Sequence, residues 1–288
     1  MKRDRIMLRK ITLVLTERYK DKIEKTLIYE DFVRVMKNNC TDVELFTGDE
    51  YVEFLQNINK DCLFISDSAE GLKKLQAEGG FTIAVYHEGV TGILPGTQYA
   101  IEGLADIDWE YLNKVHQRFC KIPWHITETK RCTLREMGEN DLEDLYELYA
   151  NPEVIRYTEA LFQDKEQEKQ YINDYIENVY KYYGFGTWLL HRKEDGKLIG
   201  RAGFNYRPGF EEAELGFVIG YPYWRMGYAY EVCSHLLHIG KTVYEFDRVQ
   251  ALVHKDNEAS IQLLKKLGFC YSNNVFAEGV EYQRFLYT

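Results

Sequence analysis

A glycine-bearing turn between an apolar strand and an amphipathic helix is the part of this sequence best suited to chemistry. It lies within AELGFVIGYPYWRMGYAYEVCSHLL, residues 213–237. Pro222 cannot donate to a sheet ladder, and Gly227 stands where the helix is expected to begin, so free backbone N–H groups and the positive helix end meet there. Such a place binds anions, and Gly227 and Ala229 are small enough to let a phosphate approach the backbone. The same pattern is also typical of a plain turn before a helix.

The elements around this turn predict a mixed α+β domain. Hydrophobic spacing indicates an antiparallel meander in front of a strand, helix, strand, helix unit. In chain order the expected elements are a strand at 132–136, helices at 140–149 and 168–182, strands at 186–192, 197–205 and 212–219, a helix at 227–244, a strand at 248–254, a helix at 258–267 and a hairpin over 276–287.

The first half of the chain alternates strands and helices, which predicts a small parallel sheet of the Rossmann-like kind. The expected strand and helix pairs are 11–16 with 28–36, 43–46 with 51–58 and 62–65 with 69–77, followed by strands at 81–86 and 99–107 and a helix at 108–119. Pro123 and a mostly polar run over 125–131 are expected to separate the two halves. We therefore expect two domains, an α/β domain over 1–125 and an α+β domain over 126–288.

Length and composition agree with this arrangement. The chain has 288 residues, of which 45% are hydrophobic and 28% charged, as in ordinary globular proteins. Its formal net charge of −10 disfavours sequence-independent binding to nucleic acid, because such binding depends on Lys and Arg, and favours cationic partners only weakly. Residues 1–40 carry a balance of +5, a basic tip that could touch RNA, although a solvated edge is the simpler interpretation.

Membrane segments and metal sites are not expected. The apolar runs fall far short of the roughly 20 residues that span a bilayer, and the run after the basic start is too short for a signal peptide. We therefore expect a cytoplasmic protein. The six cysteines are spread without C-x-x-C spacing, which favours reduced thiols over disulfides or a zinc site.

Two motifs in the second half resemble the GNAT superfamily of acetyl-coenzyme A dependent N-acetyltransferases. They are YWRMGYAYEV, residues 223–232, and YEFDRVQALVHKDNEASIQLLKKLGF, residues 244–269. The family signature is Gln or Arg, two residues, Gly, one residue, then Gly or Ala; Trp224 takes its first position and Gly227 and Ala229 are its small residues. Trp is usual there in the group that acetylates N-terminal amines of ribosomal proteins, to which the sequence is most similar. The resemblance implies a GNAT fold in this half.

The resemblance also implies how the acetyl donor, acetyl-coenzyme A, would be held. Backbone amides of 225–229 would bind the pyrophosphate, and the strand segment 217–219 would pair with the pantetheine amides as an added strand does. Asn257, in N-x-x-S spacing with Ser260, would bind the pantetheine arm, although helix capping alone also explains an Asn there. The residues implied in coenzyme binding are Phe217, Val218, Ile219, Trp224, Arg225, Met226, Gly227, Tyr228, Ala229, Asn257 and Ser260.

How much a catalytic base contributes depends on the pKa of the acceptor amine. At physiological pH about one in a thousand lysine-like amines is neutral, against about a third of α-amines. By the resemblance, Glu214 is the expected base, because it lies three residues before Phe217; a structural or solvent-facing role stays open. Glu211 and Glu212 beside it could act through water or form an acidic rim.

The family's common general acid, a tyrosine, is absent, because Leu264 stands at its position. Ser260 is the nearest hydroxyl expected to face the thioester, and Tyr271 or another tyrosine could substitute. The amine would attack the thioester directly, with no covalent enzyme intermediate and no metal.

The segment DCLFISDSAEGLKKLQAEGG, residues 61–80, resembles the late acidic motif of the haloacid dehalogenase-like superfamily. A working member needs an Asp-x-Asp pair after its first strand, where the first Asp attacks phosphorus with magnesium present. No such pair occurs in residues 1–60, and Thr16 or Glu17 stands where the Asp should be. The resemblance therefore implies a degenerate domain. A structural or weak metal-binding role for Asp67 is open, and capping of the following helix is its simplest role.

Three functions follow from these features. The first is an N-acetyltransferase acting on a primary amine, either a protein or peptide N-terminus or a small molecule. Its first domain would bind a regulator, substrate or second chain, and a homo-oligomer is one such arrangement. The second is a non-catalytic acyl-coenzyme A sensor, suggested by Leu264, and the third is a phosphohydrolase in the first domain. The fold does not identify the amine, because loops build the acceptor pocket.

Overall fold

The chain divides into two compact units, Met1–Ile122 and Pro123–Thr288. A computed structural model describes residues 7–47, 62–94 and 96–288. The helix expected over 51–58 lies outside the described residues. Within the described ranges, no helix combines the length and the apolar character needed to cross a lipid bilayer.

The first unit contains a parallel β-sheet with helices. Its strands are β1 (Lys10–Leu15), β2 (Asp42–Thr47), β3 (Cys62–Ser66), β4 (Phe81–Tyr86) and β5 (Ala100–Glu102), and its helices are α1 (Glu17–Lys25), α2 (Ile28–Asn38), α3 (Ala69–Ala77) and α4 (Trp109–Phe119). The described strands lie in the order β2-β1-β3-β4-β5, and every neighbouring pair is parallel. The small parallel sheet expected from the alternating elements is confirmed.

The central strands of this sheet are apolar along almost their whole length because both faces are buried. Leu13 and Ile65 belong to one hydrophobic cluster. A second cluster contains Val14, which follows Leu13 in β1, and Phe64, which precedes Ile65 in β3. Both pack with Leu75 of α3. A continuous apolar run is what a parallel strand needs when it is covered on both sides.

The second unit is built on an eight-stranded mixed sheet. Its strands are β6 (His125–Glu128), β7 (Cys132–Arg135), β8 (Thr187–Arg192), β9 (Leu198–Tyr206), β10 (Ala213–Ile219), β11 (Val249–His254), β12 (Cys270–Ala277) and β13 (Val280–Tyr287). Its helices are α5 (Leu142–Tyr149), α6 (Pro152–Ile155), α7 (Lys165–Tyr175), α8 (Lys181–Tyr183), α9 (Tyr228–Thr242) and α10 (Glu258–Leu267). The strand order is β12-β13-β11-β10-β9-β8-β7-β6, with β10 and β11 parallel and the other pairs antiparallel.

Two local expectations for this unit need correction in detail. The run over 125–131 is not a plain linker, because its first half is β6, which pairs with β7 at the end of the sheet. The helix expected over 168–182 is confirmed, but it starts earlier and contains a π-helical turn at Ile176–Tyr180 between α7 and α8. The wider turn places two tyrosines five residues apart on one side: Tyr175 Oη accepts from the backbone N–H of Thr187 (2.8 Å), and Tyr180 Oη donates to the carbonyl of Thr187 (2.5 Å).

Candidate active site

The turn before α9 presents backbone N–H groups to solvent. Tyr221–Tyr223 forms a 3₁₀ turn after β10, and α9 begins at Tyr228 with Gly227 as its N-cap. Arg225 (φ 60°) and Gly227 (φ 80°) are both left-handed, and only glycine adopts this conformation without strain. No hydrogen-bond acceptor for the N–H groups of 225–229 is found in the described part of the chain. Free donors at a helix N-terminus form an anion-binding site.

Arg131 holds this turn in place, and nothing in the sequence pattern pointed to it. Its Nε donates to Glu231 Oε2 (2.6 Å), and its backbone N–H donates to Glu231 Oε1 (2.8 Å). Its Nη1 donates to the carbonyl of Met226 (2.9 Å), and its guanidinium lies 4.2 Å from the centroid of the Tyr228 ring. Arg131 therefore ties the first turn of α9 to the loop before it and adds positive charge at the anion site.

Strands β10 and β11 begin side by side and then separate. Their parallel pairing is limited to two positions, Ala213 with Val249 and Glu214 with Gln250. Beyond these positions, within the described residues, β11 is paired with β13 alone and β10 with β9 alone. A gap therefore opens between the strands, with the backbone of 215–219 along one wall. A ligand with amide groups can pair with such an edge as an added strand does.

The segment expected to hold pantetheine lies along this gap. Phe217 and Ile219 pack against the core that contains α9, and Val218 packs on the opposite face of the sheet. Trp224 Nε1 donates to the carbonyl of Ile219 (2.7 Å). This carbonyl is therefore already engaged, and the indole of Trp224 lies against the end of the strand.

Glu214, Gly216 and Val218 lie on one face of the sheet, which we call the α5 face. Val218 packs there with Leu148 and Tyr149 of α5. At Gly216 this face is open, because a Cβ at that position would meet nothing within 4 Å. A molecule in the gap can therefore be approached from the α5 face over Gly216.

Glu214, the expected base, forms a two-pronged ion pair on the α5 face. Arg207 Nε donates to its Oε2 (2.7 Å) and Nη2 to its Oε1 (3.1 Å). Arg207 Nη1 also donates to Glu278 (2.9 Å), and the bond to Glu214 raises the pKa of Arg207. The Glu214 side chain is 13% exposed. Both carboxylate oxygens are engaged, so direct proton transfer to Glu214 requires Arg207 to release one of them.

The neighbouring acidic residues have other environments. Glu212 Oε2 accepts from Arg284 Nη2 (2.6 Å), and Arg284 Nε donates to the buried side chain of Gln250 (2.8 Å). Glu211 is exposed. Of the expected rim, Glu212 is thus neutralised by Arg284, as Glu214 is by Arg207, and neither arginine was identified from the sequence.

The start of α10 forms around Asn257. Its side-chain oxygen accepts from the backbone N–H of Ser260 (3.2 Å), which confirms the N-cap interpretation of Asn257. Ser260 is half-buried, and Leu264 is fully buried. Tyr271 is 55% exposed on β12 and donates to Asn274 (3.0 Å). The roles of Asn257 and Ser260 toward the coenzyme stay predictions.

Asp67, in the first unit, does not cap α3, contrary to expectation. The cap is Ser68, whose hydroxyl accepts from the backbone N–H of Gly71 (3.2 Å). Asp67 instead accepts from the N–H (2.8 Å) and hydroxyl (2.6 Å) of Thr16 and contacts His87 Nε2 (2.9 Å). The three residues each follow a strand, and the carboxyl ends of parallel strands meet at one edge of the sheet. This arrangement ties β1, β3 and β4 together.

Comparisons with known proteins concern the second unit. Residues 131–270 match the family model of the acetyltransferase (GNAT) domain. The uncharacterized N-acetyltransferase YoaA of Bacillus subtilis (strain 168) is 32% identical over 145 residues, which are 50% of this chain and 82% of YoaA.

Two solved structures share a fold with this chain. One is a protein from Bordetella pertussis described as a GNAT-family acetyltransferase, with a TM-score of 0.50 and 21% identity, covering 57% of this chain and 100% of that one. The other is a candidate ribosomal-protein-serine acetyltransferase from Vibrio cholerae, with a TM-score of 0.50 and 20% identity, covering 57% and 97%.

Proposed function

Since the chain belongs to the GNAT family of acetyltransferases and is an N-acetyltransferase, we propose that it transfers the acetyl group of acetyl-coenzyme A to a primary amine. The amine attacks the thioester carbonyl directly, so a C–N bond forms and the C–S bond breaks. The amine loses one proton and the departing thiolate gains one. No covalent enzyme intermediate takes part.

The observation that carries this proposal is the combination of two backbone features. The turn before α9 offers the free N–H groups of 225–229, and the gap beside β10 exposes the main chain of 215–219. A ligand with a pyrophosphate and a long arm of amides fits both features together, whereas a plain turn accounts for the first alone. We propose that the main chain of Phe217 and the N–H of Ile219 pair with the arm, because the alternation of the antiparallel ladder turns the main chain of Val218 toward β9. Asn257 and Ser260 contact the arm at the start of α10.

For proton removal we propose Glu214. It lies on the α5 face two residues from Gly216, the open position beside the gap. Because Arg207 engages both of its oxygens, Glu214 acts through a water molecule or after one of these bonds opens. About a third of α-amines are already neutral at physiological pH, so this arrangement favours an α-amine over a lysine-like amine. We propose Ser260 as the hydroxyl nearest the leaving thiolate, since Leu264 has no proton to give.

The experiment is a calorimetric titration of the full chain with acetyl-coenzyme A, followed by an assay of thiol release with a panel of peptides and small amines. Binding together with turnover of at least one α-amine supports the proposal. Binding without turnover of any amine supports the second candidate, an acyl-coenzyme A sensor, which the engaged carboxylate of Glu214 and the buried Leu264 favour. Absence of binding refutes both.

For the first unit we propose a degenerate haloacid dehalogenase-like domain without phosphatase activity. Thr16 stands directly after β1, where a working member needs a nucleophilic Asp, and Asp67 after β3 is engaged by Thr16 and His87. The full chain is expected to release no phosphate from an aryl phosphate in the presence of magnesium. Magnesium-dependent release that is lost in Asp67→Asn would contradict this proposal.

A further inference from the structure

Arg201 of β9 differs from the other inward-facing arginines of the second unit. In the antiparallel register it lies opposite Val218, which places its side chain on the α5 face. Within the described ranges, no carboxylate lies within ion-pair distance of Arg201. Five other arginines of this unit have side chains that are more than half buried, and each forms an ion pair with a carboxylate. The pairs are Arg131 with Glu231, Arg135 with Asp141, Arg192 with Asp195, Arg207 with Glu214 and Arg284 with Glu212.

Four tyrosines lie around Arg201. Its neighbours are Tyr149, Tyr171, Tyr175 and Tyr180. Tyr149, a buried residue of α5, lies beside Arg201, and burial raises the pKa of its hydroxyl. Tyr149 is therefore neutral at physiological pH and supplies no counter-charge. Arg201 is half-buried, and a partly buried guanidinium without a carboxylate partner is suited to an anion from outside the chain.

The carboxylates near Arg201 do not take this role. Glu214 is held by Arg207. Glu168 is buried beside the same tyrosines and accepts from the backbone N–H of Phe162 (2.9 Å). Glu168 therefore offsets some of the charge at longer range and leaves the N–H donors of Arg201 unoccupied by an anion.

We propose that Arg201 binds a carboxylate of the acceptor, and that the acceptor is therefore a small molecule carrying both an amine and a carboxylate, as an α-amino acid does. The inference rests on the proposed function, because it places the reacting amine over Gly216 beside the gap. Gly216 lies opposite Gly203, two residues from Arg201, so Arg201 and Gly216 are diagonal neighbours, about 7 Å apart across a strand pair. A guanidinium spans that distance and grips a carboxylate with two parallel hydrogen bonds.

The test compares matched acceptors, each an α-amino acid and its carboxamide, by the initial rate of coenzyme A release from the full chain. Each kcat/KM is expressed per neutral amine, because the carboxylate of the acid raises the pKa of its amine above that of the amide. We expect kcat/KM to be about 10- to 150-fold higher for the acid than for the amide, the range for a hydrogen bond to a charged group. Arg201→Met is expected to bring this ratio close to one, while calorimetry shows undiminished affinity for acetyl-coenzyme A. Arg201→Lys keeps the positive charge but cannot donate two parallel hydrogen bonds to one carboxylate, so it is expected to give an intermediate ratio. Arg248→Met, at an exposed arginine, is the control that keeps the wild-type ratio.

The outcomes separate this inference from the proposed function. Equal kcat/KM for acids and amides in the wild-type chain, or a preference for acids that survives in Arg201→Met, overturns the inference and leaves acetyl transfer in place. If the chain acetylates amines that lack a carboxylate but acetylates no amino acid, the inference is also overturned and acetyl transfer again stays in place. Failure of the wild-type chain to bind acetyl-coenzyme A refutes the proposed function itself. If Arg201→Met does not fold, the test depends on the ratio of kcat/KM for acid over amide in Arg201→Lys. A ratio as large as that of the wild type would exclude a carboxylate held by two hydrogen bonds from the guanidinium.

Discussion

Replacing Gly227 by alanine tests the proposed coenzyme site at its most constrained position. The φ of Gly227 is 80°, in the left-handed region that costs an L residue roughly 1–2 kcal/mol. A Cβ there would meet only Nη2 of Arg131, at the ordinary contact distance of 3.5 Å. The cost is therefore backbone strain and not a clash. We expect Gly227→Ala to lower the free energy of unfolding by roughly 1–2 kcal/mol.

The same strain reaches the coenzyme through the N–H groups of the turn. The turn relieves strain by rotating, which moves the donors of 225–229 away from the position that suits a pyrophosphate. Loss of one hydrogen bond to a charged group removes about 1.5–3 kcal/mol, which corresponds to about 10- to 150-fold weaker binding. Calorimetric titration with acetyl-coenzyme A measures this change, and denaturant unfolding measures the stability.

Gly279→Ala is the matched control. Gly279 has a φ of 81°, a Cβ there would meet nothing within 4 Å, and it lies in the turn between β12 and β13. We expect the same loss of stability with unchanged affinity for acetyl-coenzyme A. Equal weakening of binding in both variants would attribute the effect to stability, and undiminished affinity in Gly227→Ala would refute the assignment of this turn to the pyrophosphate.

Three further predictions concern charges and thiols. The hydrogen bond from Arg192 lowers the pKa of Asp195 to about 2, so the stabilisation it gives is present above about pH 4 and is lost as the pH falls toward 2; Asp195→Asn is expected to flatten thermal stability against pH in that window. Glu214→Gln is expected to lower kcat by about 10²- to 10⁴-fold in the thiol-release assay with no change in acetyl-coenzyme A affinity, and an unaltered kcat would leave Glu214 a structural role. Cys40 and Cys270 are exposed and are expected to react first with an aromatic disulfide reagent; equally fast reaction of the buried thiols would contradict the packing of the core.

Elements with local signals could be predicted from the sequence, and those fixed by distant contacts could not. Helix α10 has the predicted bounds because Asn257 caps its start and Gly268, with a φ of 98°, ends it. The division of the helix expected over 168–182 depends on two tyrosines that both bond to Thr187. Strand β6 is specified by its pairing with β7 at the edge of the sheet, where polar residues are tolerated and the alternation of a strand is weak.

The candidate site divides in the same way. The small residues and the helix start around Gly227 are a contiguous pattern, so the sequence located the turn and the start of α9, whereas its role as an anion site stays a prediction. Arg131 holds that turn through Glu231, 100 residues away in the chain, and no pattern within one segment shows such a pair. The position of Glu214 on its strand followed from spacing, whereas its engagement by Arg207 follows from the turn that brings β9 and β10 together.

Net charge is a poor guide to the preferred acceptor because the charges of the α5 face are paired individually. The chain carries −10, which weakly favours cationic partners, yet Glu214 and Glu212 are each neutralised by an arginine on or beside this face. The guanidinium of Arg201 has four tyrosines around it and, within the described residues, no carboxylate at ion-pair distance. An acceptor meets the local field of the site and not the sum over the chain. An acidic protein can therefore select an anionic group at this face, and the comparison of amino acids with their amides measures that selection directly.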